Sequence, residues 1–157
     1  MKPIPLLLAL LCAISACSSS HGTHDGDGVD IAAVRLGTRS LGSLLPVHLL
    51  DPDAHWADYR TSINDRAFVD GIEERLAHRG SALGPSRGGI FLACVLYRGG
   101  RSDTLSFAKG TMMYNGGEYG LDTTLLVMVS HHLPESHQAE IRTFLASFRE
   151  AVRRQKR

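Results

Sequence analysis

The sequence predicts an α+β domain: an antiparallel sheet of three to five strands with two or three helices packed on one face. Three observations predict it. Ile90 to Tyr97 is apolar on both faces and runs straight into Gly99-Gly100, as a covered central strand entering a hairpin does. Asn115-Gly116-Gly117 supplies a second tight turn, because Asn and Gly tolerate positive φ. Ile141, Phe144, Leu145, Phe148 and Val152 recur at three- and four-residue intervals, the stripe of an amphipathic helix.

The elements follow in order. Val29 to Leu36 predicts a strand, and Leu44 to Leu50 a second, with Pro46 placing it at an edge. Asp53 is suited to cap a short helix carrying Trp56 and Tyr59. Asn64 or Asp65 then caps a helix with Phe68, Ile72 and Leu76 on one side and Val69 beside them, ending at Gly80. Whether residues 54–79 form one helix or two stays open. Three strands come next, in Ile90 to Tyr97, Asp103 to Tyr114 and Tyr119 to Ser130. In the last of these, Leu121, Thr123, Leu125, Val127 and Val129 share one face. Pro134 suits the first turn of the closing helix. No internal repeat is present.

Composition bounds the function. The chain has 157 residues, 43% hydrophobic and 21% charged, with a formal net charge of +1. That suits one globular domain, excludes global disorder, and argues against a dedicated nucleic-acid binder. No apolar run reaches the roughly 18–20 residues needed to span a bilayer.

The N-terminus reads as an address. Met1 and Lys2 precede nine apolar residues, Leu6 to Ile14, the layout of a secretory signal. Ile14-Ser15-Ala16-Cys17 follows and resembles the bacterial lipobox; Cys12 does not fit, because Leu11 precedes it. The resemblance covers the first 17 residues. It implies cleavage before Cys17, acylation of Cys17, and anchoring in the bacterial cell envelope. Ser18 after the Cys implies the outer membrane, with the domain facing the periplasm. Residues 1–16 are then signal peptide, 17–28 the lipidated Cys and a flexible tether without an apolar side chain, and 29–157 one domain. Cleavage removes Cys12 and leaves Cys94 without an intramolecular disulfide partner, so stability must come from the hydrophobic core.

Several residue sets suggest chemistry. Gly84-Pro85-Ser86-Arg87-Gly88 matches G-x-S-x-G, but that motif needs a strand before the Ser and a helix after it, the reverse of the order here. Gly116-Gly117-Glu118-Tyr119 resembles the acidic hairpin of diguanylate cyclases over those residues alone, and Tyr119 and Gly120 depart from it. Asp25, Asp27 and Asp30 open like a calcium loop, yet Val29, Asp30 and Leu36 fall where an EF-hand needs an oxygen ligand, Gly and Glu. Each of these three predicts plain loop, turn or linker. His21 and His24 lie in the tether. His131, His132 and His137, with Glu135, surround one loop, and a zinc site there requires them to converge. Cys94, inside the most apolar strand, predicts a buried thiol and not a nucleophile. Arg149, Arg153, Arg154, Lys156 and Arg157 end the last helix, where cations offset the dipole and also suit anionic headgroups or an acidic partner.

Two functions are therefore expected. The first is a lipid-anchored envelope protein acting as a non-enzymatic protein-binding module, an envelope assembly accessory or an immunity-type protein. It has a periplasmic or envelope protein partner, no cofactor and no nucleic acid. The alternative is a metal-binding or hydrolytic envelope domain using His131, His132 and His137.

Overall fold

The fold grows from strand β3, Ile90–Arg98. The computed structural model describes residues 26–36, 49–51, 53, 55–83 and 89–155. β3 pairs on one side with β1, Gly28–Ala33, and on the other with β4, Arg101–Ala108. The β3–β4 hairpin turns at Gly99 and Gly100, whose φ values of 52° and 78° suit residues without a Cβ. β2, Tyr59–Ile63, forms one edge beside β1; β5, Thr111–Tyr114, and β6, Gly117–Gly120, complete the other side. The described residues thus make one six-stranded antiparallel sheet, ordered β2-β1-β3-β4-β5-β6. With the three helices named among the described residues, this is an α+β fold.

Register sorts the side chains. Ile31 lies opposite Cys94 and Cys94 opposite Leu105, so alternation sets Val29, Ile31, Leu92, Cys94, Leu96, Leu105 and Phe107 on one face. Helix α1, Arg66–Ala77, lies against β1 and β3. It buries Phe68, Val69, Ile72 and Leu76, each contributing about 1.5–3 kcal/mol of transfer free energy. Asp65 starts it by accepting from the amides of Ala67 and Phe68, at 2.9 and 3.3 Å. Arg98 on β3 ties it down through Asp70, at 2.7 Å, and through Glu73. Helix α2, Thr123–Ser130, lies beside α1, where a Cβ on Gly71 would meet the Met128 sulfur at 3.7 Å. Helix α3, Glu135–Gln155, packs Phe144 edge-on to Phe91, with centroids 5.7 Å apart. Ala32, Ala93, Ser106 and Ala108, which alternate to the other face, are also buried.

The structure corrects several expectations. The sheet has six strands, above the expected three to five. Tyr59 belongs to β2, and Asp53 lies in a turn and caps no helix. Tyr59, Thr61 and Ile63 are half-buried while Arg60 and Ser62 are exposed, a period of two. The strand expected across Asp103 to Tyr114 divides into β4 and β5 at Lys109-Gly110, where Gly110 has φ 107°. The strand expected across Tyr119 to Ser130 stops at Gly120. Residues 123–130 are helical, because Asp122 accepts from the Thr124 and Leu125 amides, each at 2.9 Å. Leu125, Leu126 and Val129 then share a buried face at helical spacing. The last helix forms as expected, directly after Pro134. The expected strand at Leu44 to Leu50 lies outside the described residues except for Leu49 and Leu50, which have helical backbone.

A candidate interaction surface at the β5–β6 hairpin

α1 ends at Ala77, and His78 closes it with its backbone N–H on the Arg75 and Leu76 carbonyls. Arg79 then leaves the helix but stays bound to it. Its amide and its Nη1 both donate to the Leu76 carbonyl, at 3.2 and 2.6 Å. This holds the guanidinium over two phenol rings, 5.0 Å from the Tyr114 centroid and 5.2 Å from that of Tyr119. Each such cation–π contact contributes about 0.5–1 kcal/mol at an exposed site.

The hairpin places the rings. Its turn uses Asn115 at φ 46° and Gly116 at φ 80°. Register pairs Tyr114 with Gly117 and Met112 with Tyr119, so the two tyrosines sit diagonally on one face. Gly117 has a steric role: a Cβ there would lie 2.8 Å from the Tyr119 hydroxyl oxygen. The missing side chain lets the Tyr119 ring cross the strand and reach Arg79.

Hydrogen bonds lock the hairpin to β4. The Tyr114 hydroxyl donates to Asp103 at 2.8 Å, and Asn115 Nδ2 donates to the other Asp103 oxygen at 2.6 Å. Asn115 Oδ1 accepts from the Thr104 amide at 2.8 Å. Burial, followed by the Asp103 carboxylate, pushes the Tyr114 phenol up to about 12. Tyr114 is thus a hydrogen-bond donor at neutral pH and not a base. The Tyr119 hydroxyl, as hydrogen-bond partner of Arg79, raises that guanidinium above its ordinary value. The result is a fixed, exposed arginine flanked by two half-buried tyrosines, with no nucleophile–base pair in it. Arg and Tyr are the side chains enriched at the energetic centres of protein interfaces.

Apart from Gly116-Gly117-Glu118-Tyr119, which form the hairpin itself, the residues singled out by sequence lie elsewhere. Cys17, Asp25, His21, His24, Ser86 with its flanking glycines, Lys156 and Arg157 lie outside the described residues. His131 is exposed, His132 stacks on Phe68 at 4.3 Å, His137 is buried, and Glu135 pairs with Arg142. Among the described residues, no three His, Cys, Asp or Glu side chains come together to hold a metal. Asp27 accepts from the Gly99 amide at 3.2 Å and lies 3.6 Å from Arg66. Asp30 accepts from Ser62 at 2.5 Å and from Tyr97 at 3.1 Å. Both acids thus hold the sheet and its neighbours together. Glu118 is buried in β6. Cys94 is fully buried, and burial pushes its thiol far above the ordinary range.

Sequence reasoning missed Arg79, Tyr114 and Tyr119. The tyrosines were within reach, because a tight turn at Asn115-Gly116 sets Tyr114 and Tyr119 diagonally on one face of the hairpin. Arg79 was not, because only the helix exit angle brings it over them. A scan against protein-family models, a search of curated proteins and a search of solved structures each return no match.

Proposed function

We propose that this chain is a lipid-anchored cell-envelope protein whose domain binds another envelope protein without catalysis. Cys17 carries the acyl chains, in the outer membrane, and the domain faces the periplasm. Arg79, leaving α1 over Tyr114 and Tyr119 of the β5–β6 hairpin, is the binding anchor. That exposed cation with its aromatic flanks is the observation that carries the reading. An envelope assembly accessory or an immunity-type protein fits it equally, since both work by holding a partner. The lipobox-like Ile14-Ser15-Ala16-Cys17 supports the anchor.

Affinity capture tests the binding role. The full chain, solubilised in detergent, is used as bait in envelope extract beside its Arg79→Ala variant. A stoichiometric partner is expected with the parent chain, lost or weakened at least tenfold in the variant, the effect of removing an interface anchor worth about 1.4 kcal/mol or more. Equal capture by both would remove the hairpin from the role. Metabolic labelling with palmitate tests the anchor: label is expected on the chain and absent after Cys17→Ala.

A further inference from the structure

The second half of α3 packs only lightly on the fold. The buried residues of this helix are His137, Ile141 and Leu145, all in its first eleven positions. The last ten described positions bury no side chain; Phe148 and Val152 are half-buried and the rest exposed. An isolated helix of that length is marginal in water, so packing on the domain does not by itself explain why the chain continues. What this stretch does carry is charge. From Ala146 to the end of the sequence there are five cations and one anion, a net of +4 in a chain of net +1, which leaves −3 on everything before it.

The helix dipole does not account for all of it. That effect reaches only the last turn, which contains Arg153 and Arg154 but not Arg149. Ion pairing divides the arginines further. Arg142 pairs with Glu135 and Arg154 with Glu150, whereas Arg149 and Arg153 have no acidic partner among the described residues. Arg149 and Arg153 are four apart, hence on one flank of the helix, and Arg142 lies seven before Arg149 on the same flank. Phe148 and Val152, half-buried, lie on the stripe turned to the domain, so the basic flank is what this part of the helix presents outward. Cations on an exposed helix flank suit the phosphates of a headgroup layer.

We infer that the C-terminal part of α3 docks on an anionic lipid surface through Arg149 and Arg153, while Phe148 stays on the domain beside Phe144 and Gly110. Charge complementarity selects this occupant: two unpaired guanidinium groups, side by side, suit a dense layer of phosphate monoanions. The inference goes beyond the protein-binding role and does not depend on acylation of Cys17. Where both hold, the tether raises the local concentration of the helix at the membrane, so weak docking suffices to orient the domain.

The test uses the full chain carrying Cys17→Ser, which removes acylation from the measurement. Co-sedimentation is measured with vesicles of phosphatidylcholine and with vesicles of two-thirds phosphatidylcholine and one-third phosphatidylglycerol. The unacylated N-terminal apolar run contributes to both, so the ratio of the two partition coefficients is the readout. A ratio above about tenfold is expected at low salt, collapsing at high salt as the Debye length falls from about 10 Å to about 3 Å. Arg149→Ala and Arg153→Ala should each lower it about five-fold. The charge-matched single variants Arg66→Ala and Arg101→Ala, with their changes at the opposite end of the sheet, should each leave it unchanged. Equal loss in the two sets, or no preference for the anionic vesicles, overturns the inference. So does loss of vesicle binding alongside retained binding to polyglutamate, which would assign the flank to an acidic protein.

Discussion

Both ring nitrogens of His137 are buried without a hydrogen-bond partner among the described residues, and the ring sits 6.0 Å from that of Tyr59 beside a small void lined by Val34, Leu133 and Ile141. An orphaned buried donor costs about 1–3 kcal/mol, and replacing it with an apolar group of similar volume recovers part of that. His137→Leu is expected to stabilise the fold by about 1 kcal/mol, seen as a higher urea midpoint with an unchanged slope. His137→Ala should destabilise instead, because it enlarges the void. Two phenols make a second prediction at this scale. Tyr97, through burial and then the Asp30 carboxylate, and Tyr114, through burial and then Asp103, are each pushed up to about 12. A phenol raised in the fold contributes stability that is fully present below its unfolded value of about 10 and is lost as pH rises through 12. These two phenols should ionise late in an ultraviolet titration, with unfolding setting in between those limits. Tyr114→Phe should flatten its share of the loss; an unchanged alkaline transition in Tyr97→Phe/Tyr114→Phe would show that other groups control it.

Local signals and tertiary context divide at α2. Leu121, Thr123, Leu125, Val127 and Val129 alternate as a strand does, and their β-branched members favour one. Residues 123–130 also hold Leu125, Leu126 and Val129 at helical spacing, and Asp122 ahead of them decides the matter by capping two amides. Asp122 also holds Arg75 on α1 at 2.6 Å. Asp122→Ala should cost about 1 kcal/mol or slightly more, most of it the cap. Asp122→Asn keeps the cap, loses the ion pair, and should cost only a few tenths of a kcal/mol. A comparable loss in both variants, measured by chemical denaturation, would shift the weight to the Arg75 pair. The elements legible in sequence are those whose signals agree. β3 has an unbroken apolar run closed by Gly99-Gly100, α1 has a cap and a four-residue repeat, and α3 has a long stripe. β2 was hidden because Trp56 and Tyr59 fit a helical turn as well as they fit a strand. The β4–β5 break was hidden because a single Gly110 is a weak turn signal. The Arg79–tyrosine surface was half legible: the hairpin fixes the rings, but only the end of α1 supplies the cation.

The six strands put Cys94 at the centre of the molecule. It lies opposite Ile31 on β1 and Leu105 on β4, on the face that α1 covers, and is fully buried. No local opening at a sheet edge or loop exposes it, because β3 is bonded on both sides along most of its length. Access therefore requires separation of the sheet from its helices, which is global unfolding. Maleimide modification of Cys94 in the full chain should then follow the unfolding equilibrium, with the same denaturant dependence as loss of helical circular dichroism. Cys94→Ser should be destabilising by about 1–3 kcal/mol, because the hydroxyl would be buried in apolar surroundings. If Cys94 reacts quickly under native conditions, the sheet opens locally at its centre and the core is not one cooperative unit. If the rate tracks unfolding, the core of β1, β3, β4 and α1 alone sets the stability of the domain. Reductant should then leave the melting temperature unchanged, since the one cysteine in the core has no route to a partner.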